Sequence, residues 1–236
     1  MSTVLITGAN RGLGLEFTKQ YVVDDWDVLA TARDPDTSKE LQALAKEYPK
    51  LRLLQVDVAD EKSIRHLAKQ VDGKPIDVLI LNAGMYPRDG QKIGEIDYTG
   101  WRLAVETNVF GPMRVAEVLL PNVEASKRKQ IAALSSSMSS LRAVQGASVS
   151  QSGTAYQYRT SKTALNMTMA ILAKELEPRG ISVVLLDPGW VQTDMGGRRA
   201  PLTPEQSIRG MRRVLAGNPN SIAGKFLVHD GSEMDW

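Results

Sequence analysis

Tyr158 and Lys162 are the two side chains around which a chemistry can be built in this chain. Residues four apart share one helix face. Ala164 to Leu176 is rich in Ala, Leu and Met, so the pair falls early in a long helix. A phenol titrates near ~10 in water, too high for easy proton exchange at neutral pH. A nearby cation favours the phenolate and brings that value toward the working range, so Tyr158 could serve as general acid or base. The spacing alone is common on surface helices, where an aromatic ring and a solvated Lys do no chemistry. Tyr156 competes on position, but residue 160 is Thr, so it lacks a Lys four residues on.

Other chemistries are poorly supplied. The chain has no Cys, which excludes disulfides, thiolate catalysis and cysteine metal sites. His66 and His229 are the only imidazoles and lie far apart, so neither a His-based metal site nor a Ser-His-Asp triad is expected. Basic and acidic residues nearly cancel, 29 against 27, which leaves no electrostatic case for nucleic acid or a membrane surface. No window approaches the ~18 apolar residues needed to span a bilayer. The N-terminus has no basic segment followed by a long apolar run, so the cytoplasm is the expected location. The 236 residues show no linker, internal repeat or boundary, and 1–236 reads as a single domain.

The elements that must position the pair alternate along the chain. Val4-Leu5-Ile6 reads as a short strand, followed by Thr7-Gly8-Ala9-Asn10-Arg11-Gly12-Leu13-Gly14 and a helical pattern from Leu15 to Val23. Strand, glycine-rich turn and helix is the context in which backbone amides cradle a pyrophosphate at a helix N-terminus. The spacing is Gly-x-x-x-Gly-x-Gly, unlike the standard Gly-x-Gly-x-x-Gly, and a merely structural turn is the competing reading. Further strands are expected over 27–32, 51–56, 77–81, 131–134, 181–186 and 225–229. Amphipathic helices are expected over 38–48, after Asp60 or Ser63 as cap, over 101–109 and 113–125, and over 204–216 with Thr203 as cap. Asn108, Gly111 and Pro112 interrupt the pattern between the third and fourth of these. Residues 85–98 read as a loop, 138–153 as the loosest, Ser- and Gly-rich stretch, and 190–203 as an irregular loop. Apolar strands alternating with amphipathic helices indicate an α/β fold with a parallel sheet covered on both faces.

Taken in order, several pieces of this pattern resemble the classical short-chain dehydrogenase/reductase family over essentially the whole chain. They are Thr7-Gly8-(x3)-Gly12-x-Gly14, Asp57-Val58, Asn82-Ala83-Gly84, Asn108, Ser135-Ser136, Tyr158-(x3)-Lys162 and Pro188-Gly189. Residues 188–197 and Asp230-Gly231-Ser232-Glu233 look most like the sniffer and C-factor-like carbonyl reductase branch. The resemblance implies a doubly wound, Rossmann-type, seven-stranded parallel sheet, an active site at the strand C-termini, and homodimers or homotetramers. It implies NADP(H) as cofactor and a small carbonyl compound (aldehyde, ketone or quinone) as substrate, with 190–203 as the substrate loop.

It also implies roles. Tyr158 is the proton donor, Lys162 lowers the Tyr158 pKa and holds the nicotinamide ribose, and Ser136 bonds the substrate carbonyl. Asn108 holds a water linked to Lys162, and Thr193 contacts the nicotinamide amide. Cofactor contacts are implied for Gly8, Asn10, Arg11, Gly12, Leu13, Gly14, Arg33, Asp57, Val58, Asn82, Ala83, Gly84, Pro188, Gly189, Val191 and Thr193, beside Tyr158 and Lys162. Rival readings stay open: a serine run after a strand is usually turn chemistry, Asn108 can simply end a helix, and Asp57 can cap the next turn. The spacing from Ser136 to Tyr158 is longer than the family's usual one, so the family's substrate range does not carry over.

A preference for NADPH is expected from charge at the end of the second strand. NAD enzymes of this fold usually place a carboxylate there to accept from the adenosine ribose hydroxyls. Here the strand ends in Ala32, followed by Arg33, and Arg11 can come close to the same ribose. Asp34 is the complication, and Pro35 is expected to turn it away. A dinucleotide-binding protein of signalling or redox-sensing role, with little turnover, is the alternative function.

Overall fold

The computed structural model describes residues 2–87, 93–146 and 155–236. Its strands are β1 (Thr3–Ile6), β2 (Asp27–Ala32), β3 (Leu51–Gln55), β4 (Val78–Leu81), β5 (Gln130–Leu134), β6 (Ser182–Asp187) and β7 (Phe226–Val228). They form one seven-stranded sheet in the order β3-β2-β1-β4-β5-β6-β7. Every pairing is parallel. The helices are α1 (Gly12–Val23), α2 (Lys39–Glu47), α3 (Glu61–Val71), α4 (Tyr98–Val105), α5 (Gly111–Glu124), α6 (Leu141–Gly146), α7 (Tyr156–Leu176), α8 (Pro204–Ala216) and α9 (Pro219–Ile222). None of the described helices is long and apolar enough to cross a membrane.

Successive strand residues point to opposite faces, so each strand feeds two cores. Val4 and Ile6 pack with Leu15, Phe17, Leu41, Ile208 and Met211, the buried sides of α1, α2 and α8. Leu5 and Leu79 pack with Ile64, Leu67, Leu119, Leu165 and Met169, the buried sides of α3, α5 and α7. Because both faces are covered, the strands carry unbroken apolar runs rather than alternation. Strand order reverses between β1 and β4, and the crevice beyond their C-terminal ends is where such sheets take ligands.

The structure corrects two local expectations and decides between two candidate caps. The break at Asn108, Gly111 and Pro112 does not occur: α4 passes through a π turn, Glu106–Phe110, directly into α5. Gly111 donates its N–H to the Glu106 carbonyl, so the wide turn absorbs one extra residue, and Pro112, which has no N–H, enters where α5 begins. The stretch from 138 onward is not uniformly loose, because Ser137–Ser139 forms a 3-10 turn and α6 follows; residues 147–153 lie outside the described residues. So do 88–92 of the expected 85–98 loop. Finally, Asp60 is the cap of α3, accepting from the Lys62 N–H at 3.0 Å, while the Ser63 hydroxyl accepts from the Asp57 N–H at 2.9 Å.

Candidate active site

The glycine turn is braced by the segment after β4. A Cβ at Gly8, whose φ is +68°, would sit 2.9 Å from the Ala83 Cα, and one at Gly14 would meet the Gly8 carbonyl oxygen at 2.2 Å. Only glycine permits this approach. The Asn82 Nδ2 donates to the Thr7 and Gly8 carbonyl oxygens at 2.7 and 3.1 Å. In return the Thr7 hydroxyl accepts from the Asn82 and Ala83 N–H groups, each at 3.0 Å. Arg11 stands at the N-cap of α1 without a side-chain cap bond. The first N–H groups of α1 are thus left for an anion, where the helix end carries partial positive charge.

A cavity of about 570 Å³ opens beside this turn, between the strand ends and the loop after β6. Gly8, Asn10, Arg11, Gly12, Leu13 and Gly14 line it on one side, Asn82, Ala83 and Gly84 on another. Asp57 and Val58 line the wall below β3, and the Asp57 Oδ1 takes the Ala59 N–H at 2.9 Å, the turn-capping bond. Pro188 and Thr193 line the far wall.

At the end of β2, Arg33 and Asp34 both line the cavity. Asp34 is therefore not turned away as expected. Pro35 is the buried first residue of a 3-10 turn, Pro35–Thr37, which leaves Asp34 beside Arg33 at the wall. Arg11 lines the same cavity as Arg33, and its guanidinium pairs with Asp194 at 2.9 Å, tying the glycine turn to the 190–203 loop. Two expected contacts stand outside the lining. Gly189, with φ +75°, packs so closely on Leu202 that a Cβ would come within 2.7 Å. Val191 is buried and bridges to Leu202. Both shape the loop from behind.

Tyr158 and Lys162 reach the cavity from the first turns of α7. The Ser136 hydroxyl is near enough to the Tyr158 hydroxyl to draw its pKa down, and it accepts the Met138 N–H at 3.2 Å. Ser135, and not Ser136, is among the residues lining the cavity, yet its hydroxyl is taken up by another partner. Ser135 is buried and bonds Asn166 at 2.5 Å, whereas the Ser137 side chain is exposed. Burial pushes Tyr158 up to about 12, against the pull of the nearby Ser136 hydroxyl; Asp187 and Tyr86 add to the rise. The expectation that Lys162 brings Tyr158 down is not met in this structure. The Lys162 Nζ lies 5.8 Å from the Tyr158 ring centre and gives a hydrogen to the Leu134 carbonyl at 2.7 Å. Burial instead lowers Lys162 itself to about 8. Desolvation wins at both groups, since each is disfavoured in its charged form.

Asn108 sits in the π turn, fully buried. Its Nδ2 donates to the Met85 carbonyl at 2.9 Å and the Ser161 hydroxyl at 3.0 Å, and its Oδ1 accepts the Met85 N–H at 2.8 Å. Asn108 therefore ties the segment after β4 to α7 rather than ending a helix. A Cβ on Gly84 would lie 3.2 Å from the Asn108 Oδ1 and 3.6 Å from the Lys162 Nζ, so both groups face one small space. Sequence reasoning missed three residues here: Tyr86, whose ring centre is 4.7 Å from that of Tyr158, Asp194 and Asp187. An Asp closing an apolar strand just before Pro-Gly was a readable signal. Nothing in the loop around Tyr86 marked it.

A doubly wound parallel sheet with a glycine-turn cavity and a Tyr-Ser-Lys cluster at its strand ends defines a nucleotide-binding oxidoreductase class. Residues 2–202 match the short chain dehydrogenase family, and the chain belongs to that family. It is 39% identical over 175 residues to the C-signal of Myxococcus xanthus, covering 73% of this chain and 100% of that protein. Among solved structures it is similar to the carbonyl reductase Sniffer of D. melanogaster, with 30% identity, a TM-score of 0.90 and both chains covered at 100%. It is also similar to NADPH-bound carbonyl reductase from chicken fatty liver, with 32% identity, a TM-score of 0.92, and 100% of this chain and 99% of that one covered.

Proposed function

We propose that this protein is an NADP(H)-dependent reductase of small carbonyl compounds, aldehydes, ketones or quinones, with Tyr158 as proton donor. The observation that carries the reading is that Tyr158 and Lys162 line one cavity with the glycine turn, with the Ser136 hydroxyl close enough to Tyr158 to act on it. The cavity fits a dinucleotide: glycines at 8 and 14 allow close approach, and the start of α1 offers uncapped N–H groups to a pyrophosphate. The NADPH-bound reductase from chicken fatty liver supports this choice of cofactor. NADPH, when bound, supplies the hydride.

The chain's own residues do the rest. Tyr158 and Ser136 present two O–H groups to one carbonyl oxygen, Tyr158 passing its proton and Ser136 stabilising the developing charge. Lys162 holds the nicotinamide ribose hydroxyls and faces the phenolate left behind. Pro112 has no N–H to offer the Asn108 carbonyl four residues earlier, which suits that oxygen to hold a water on the Lys162 side. Thr193 takes the nicotinamide amide, and Arg33 the 2′-phosphate.

NADPH consumption with a panel of aldehydes, ketones and quinones tests the reading. Turnover that Tyr158→Phe abolishes is the expected result; no substrate-dependent consumption anywhere in the panel counts against it. A second reading, dinucleotide-dependent signalling with little turnover, is favoured by the 39% identity to the C-signal. It would be upheld if the protein bound NADPH but consumed none. Exposed Phe110, Met167 and Ile171 support a homodimer or homotetramer, which sedimentation would test. A cytoplasmic location belongs to the same proposal, and cell fractionation checks it.

A further inference from the structure

A second set of α7 side chains, which none of the roles above uses, grips the serine run. Arg159, Thr163 and Asn166 share one face of that helix, beside the face that carries Tyr158 and Lys162. The Arg159 guanidinium donates to the Met138 carbonyl at 3.2 Å, and the Thr163 hydroxyl lies 2.8 Å from the Ser139 carbonyl oxygen. Asn166, only 3% exposed, reaches to either side of Ser136. Its Oδ1 accepts from the Ser135 hydroxyl at 2.5 Å, and its Nδ2 donates to the Ser139 hydroxyl at 2.8 Å.

The hydrogens of this network have one assignment. The Ser139 hydroxyl lies 2.6 Å from the Ser136 carbonyl oxygen, which can only accept, so its single hydrogen goes there. The Ser139 oxygen is then an acceptor, and Asn166 turns its NH2 toward it. That leaves the Asn166 oxygen for Ser135. Donation runs in one direction, from the Asn166 amide through Ser139 to the Ser136 carbonyl, and such a chain polarises its members. Losing any of these bonds leaves a buried polar group unpaired.

We propose that Asn166 is a positioning residue: it fixes the backbone of Ser136 against the helix that carries Tyr158, so that both hydroxyls meet one carbonyl oxygen. The inference rests on the reductase reading above, in which Ser136 stabilises the developing charge. Ser136 lies beyond Leu134, the last residue of β5, and enters the 3-10 turn Ser137–Ser139, so the sheet alone does not set its place. Asn166 sets it through Ser139. Asn166 also takes up the hydroxyl of Ser135, a residue of the cavity wall, and leaves Ser136 as the serine beside Tyr158. On the β6 side the Ser137 N–H is held separately by Asp187 at 3.0 Å, so the turn keeps a tie to the sheet when Asn166 is changed.

A double-mutant cycle between Asn166 and Ser136, read as the single-turnover rate with NADPH and a carbonyl substrate, tests this. Asn166→Leu keeps the bulk of the side chain and removes both amide bonds. With Ser136 present it is expected to slow the reaction about tenfold or more, the scale of a displaced catalytic group, while the Kd for NADPH stays near its wild-type value. In a Ser136→Ala background the same change costs less than about twofold, the margin within which independent sites add. Ser139→Ala cuts the same chain one bond further on; it repeats both results and stands in where Asn166→Leu does not fold. Equal fold losses with and without Ser136 overturn the proposal, because a residue that serves stability alone does not act through Ser136. So does an unchanged rate in Asn166→Leu. If the wild type consumes no NADPH with any carbonyl, or Ser136→Ala costs nothing, the reductase reading fails instead. The crystal structure of Asn166→Leu then decides the placement, and a serine turn unmoved against α7 overturns it.

Discussion

The Ser136 hydroxyl acts on the Tyr158 hydroxyl, favouring its phenolate against burial, one carried just beyond β5 and the other by the first turn of α7. Two O–H groups thus converge from different elements of the fold. Each can be removed by itself, so the effect of each on the reaction can be separated.

Tyr158→Phe removes the transferable proton and little else. A positioned general acid contributes about 10²–10⁴ in rate, so kcat should fall by at least a hundredfold while the Kd for NADPH stays near its wild-type value. Retention of more than about a tenth of kcat would assign the proton to another group.

The serine run predicts three different outcomes. Ser136→Ala slows the chemical step, because one donor at a developing oxyanion supplies about 2.7–4 kcal/mol. Ser135→Ala lowers Tm instead, since it strips a buried bond from Asn166. Ser137→Ala changes little, because its backbone N–H, not its exposed hydroxyl, meets Asp187. Single-turnover rates and melting curves for the three variants separate these cases.

Arg33→Ala should weaken NADPH binding about tenfold or more, the worth of a hydrogen bond to a charged group, and leave NADH nearly unchanged. Asp34 lies on the same wall. Equal or better kcat/KM of the wild type with NADH would give the ribose to Asp34 and not to Arg33.

Gly14→Ala should abolish dinucleotide binding and lower Tm. Its Cβ would stand 2.2 Å from the Gly8 carbonyl oxygen and 2.6 Å from the Asn82 Nδ2, so the brace on the turn must break. Calorimetry with NADPH, beside a thermal melt, reads both effects. Unchanged affinity would mean that the turn does not hold the phosphates.

Stability should climb with pH above 8. Lys162 sits at about 8 in the folded protein, lowered by burial, against ~10.4 when unfolded. Between those values the unfolded chain holds the proton that the folded chain has shed, so raising the pH favours folding. Above ~10 the sign reverses, because Tyr158 and Tyr21 are raised to about 12 by burial and the folded state keeps protons the unfolded state loses. Lys162→Met should flatten the rise and stabilise the protein near neutrality by up to about 3 kcal/mol. An identical Tm profile in the variant would exclude Lys162 as the group responsible.

The strands and the glycine turn were legible because apolar runs and close backbone approaches constrain residue type directly. Val4 to Ile6 must be apolar to be buried on both faces, and Gly14 must be glycine. Tyr158 and Lys162 were legible through their spacing. The roles of Arg11 and Asp34 were not, because a charged side chain at a loop end chooses its partner from whatever the fold brings near. Arg11 found Asp194, far along the chain. The balance at Tyr158 was hidden for a related reason: sequence spacing reveals a neighbouring cation but not the burial that outweighs it. Nor does local pattern show a π turn, since Asn108, Gly111 and Pro112 read as a break.

That π turn marks the place where the continuous α4–α5 helix holds one residue more than its ordinary repeat needs. Removing one of Glu106–Phe110 would close the wide turn into ordinary helix and leave Val115 and Leu119 facing the core beside β4, while the hold of Asn108 on Met85 and Ser161 would be displaced. Asn108→Ala empties the same polar bracket and leaves the wide turn in place. The extra residue thus serves the placement of Asn108 and not the packing of the helix.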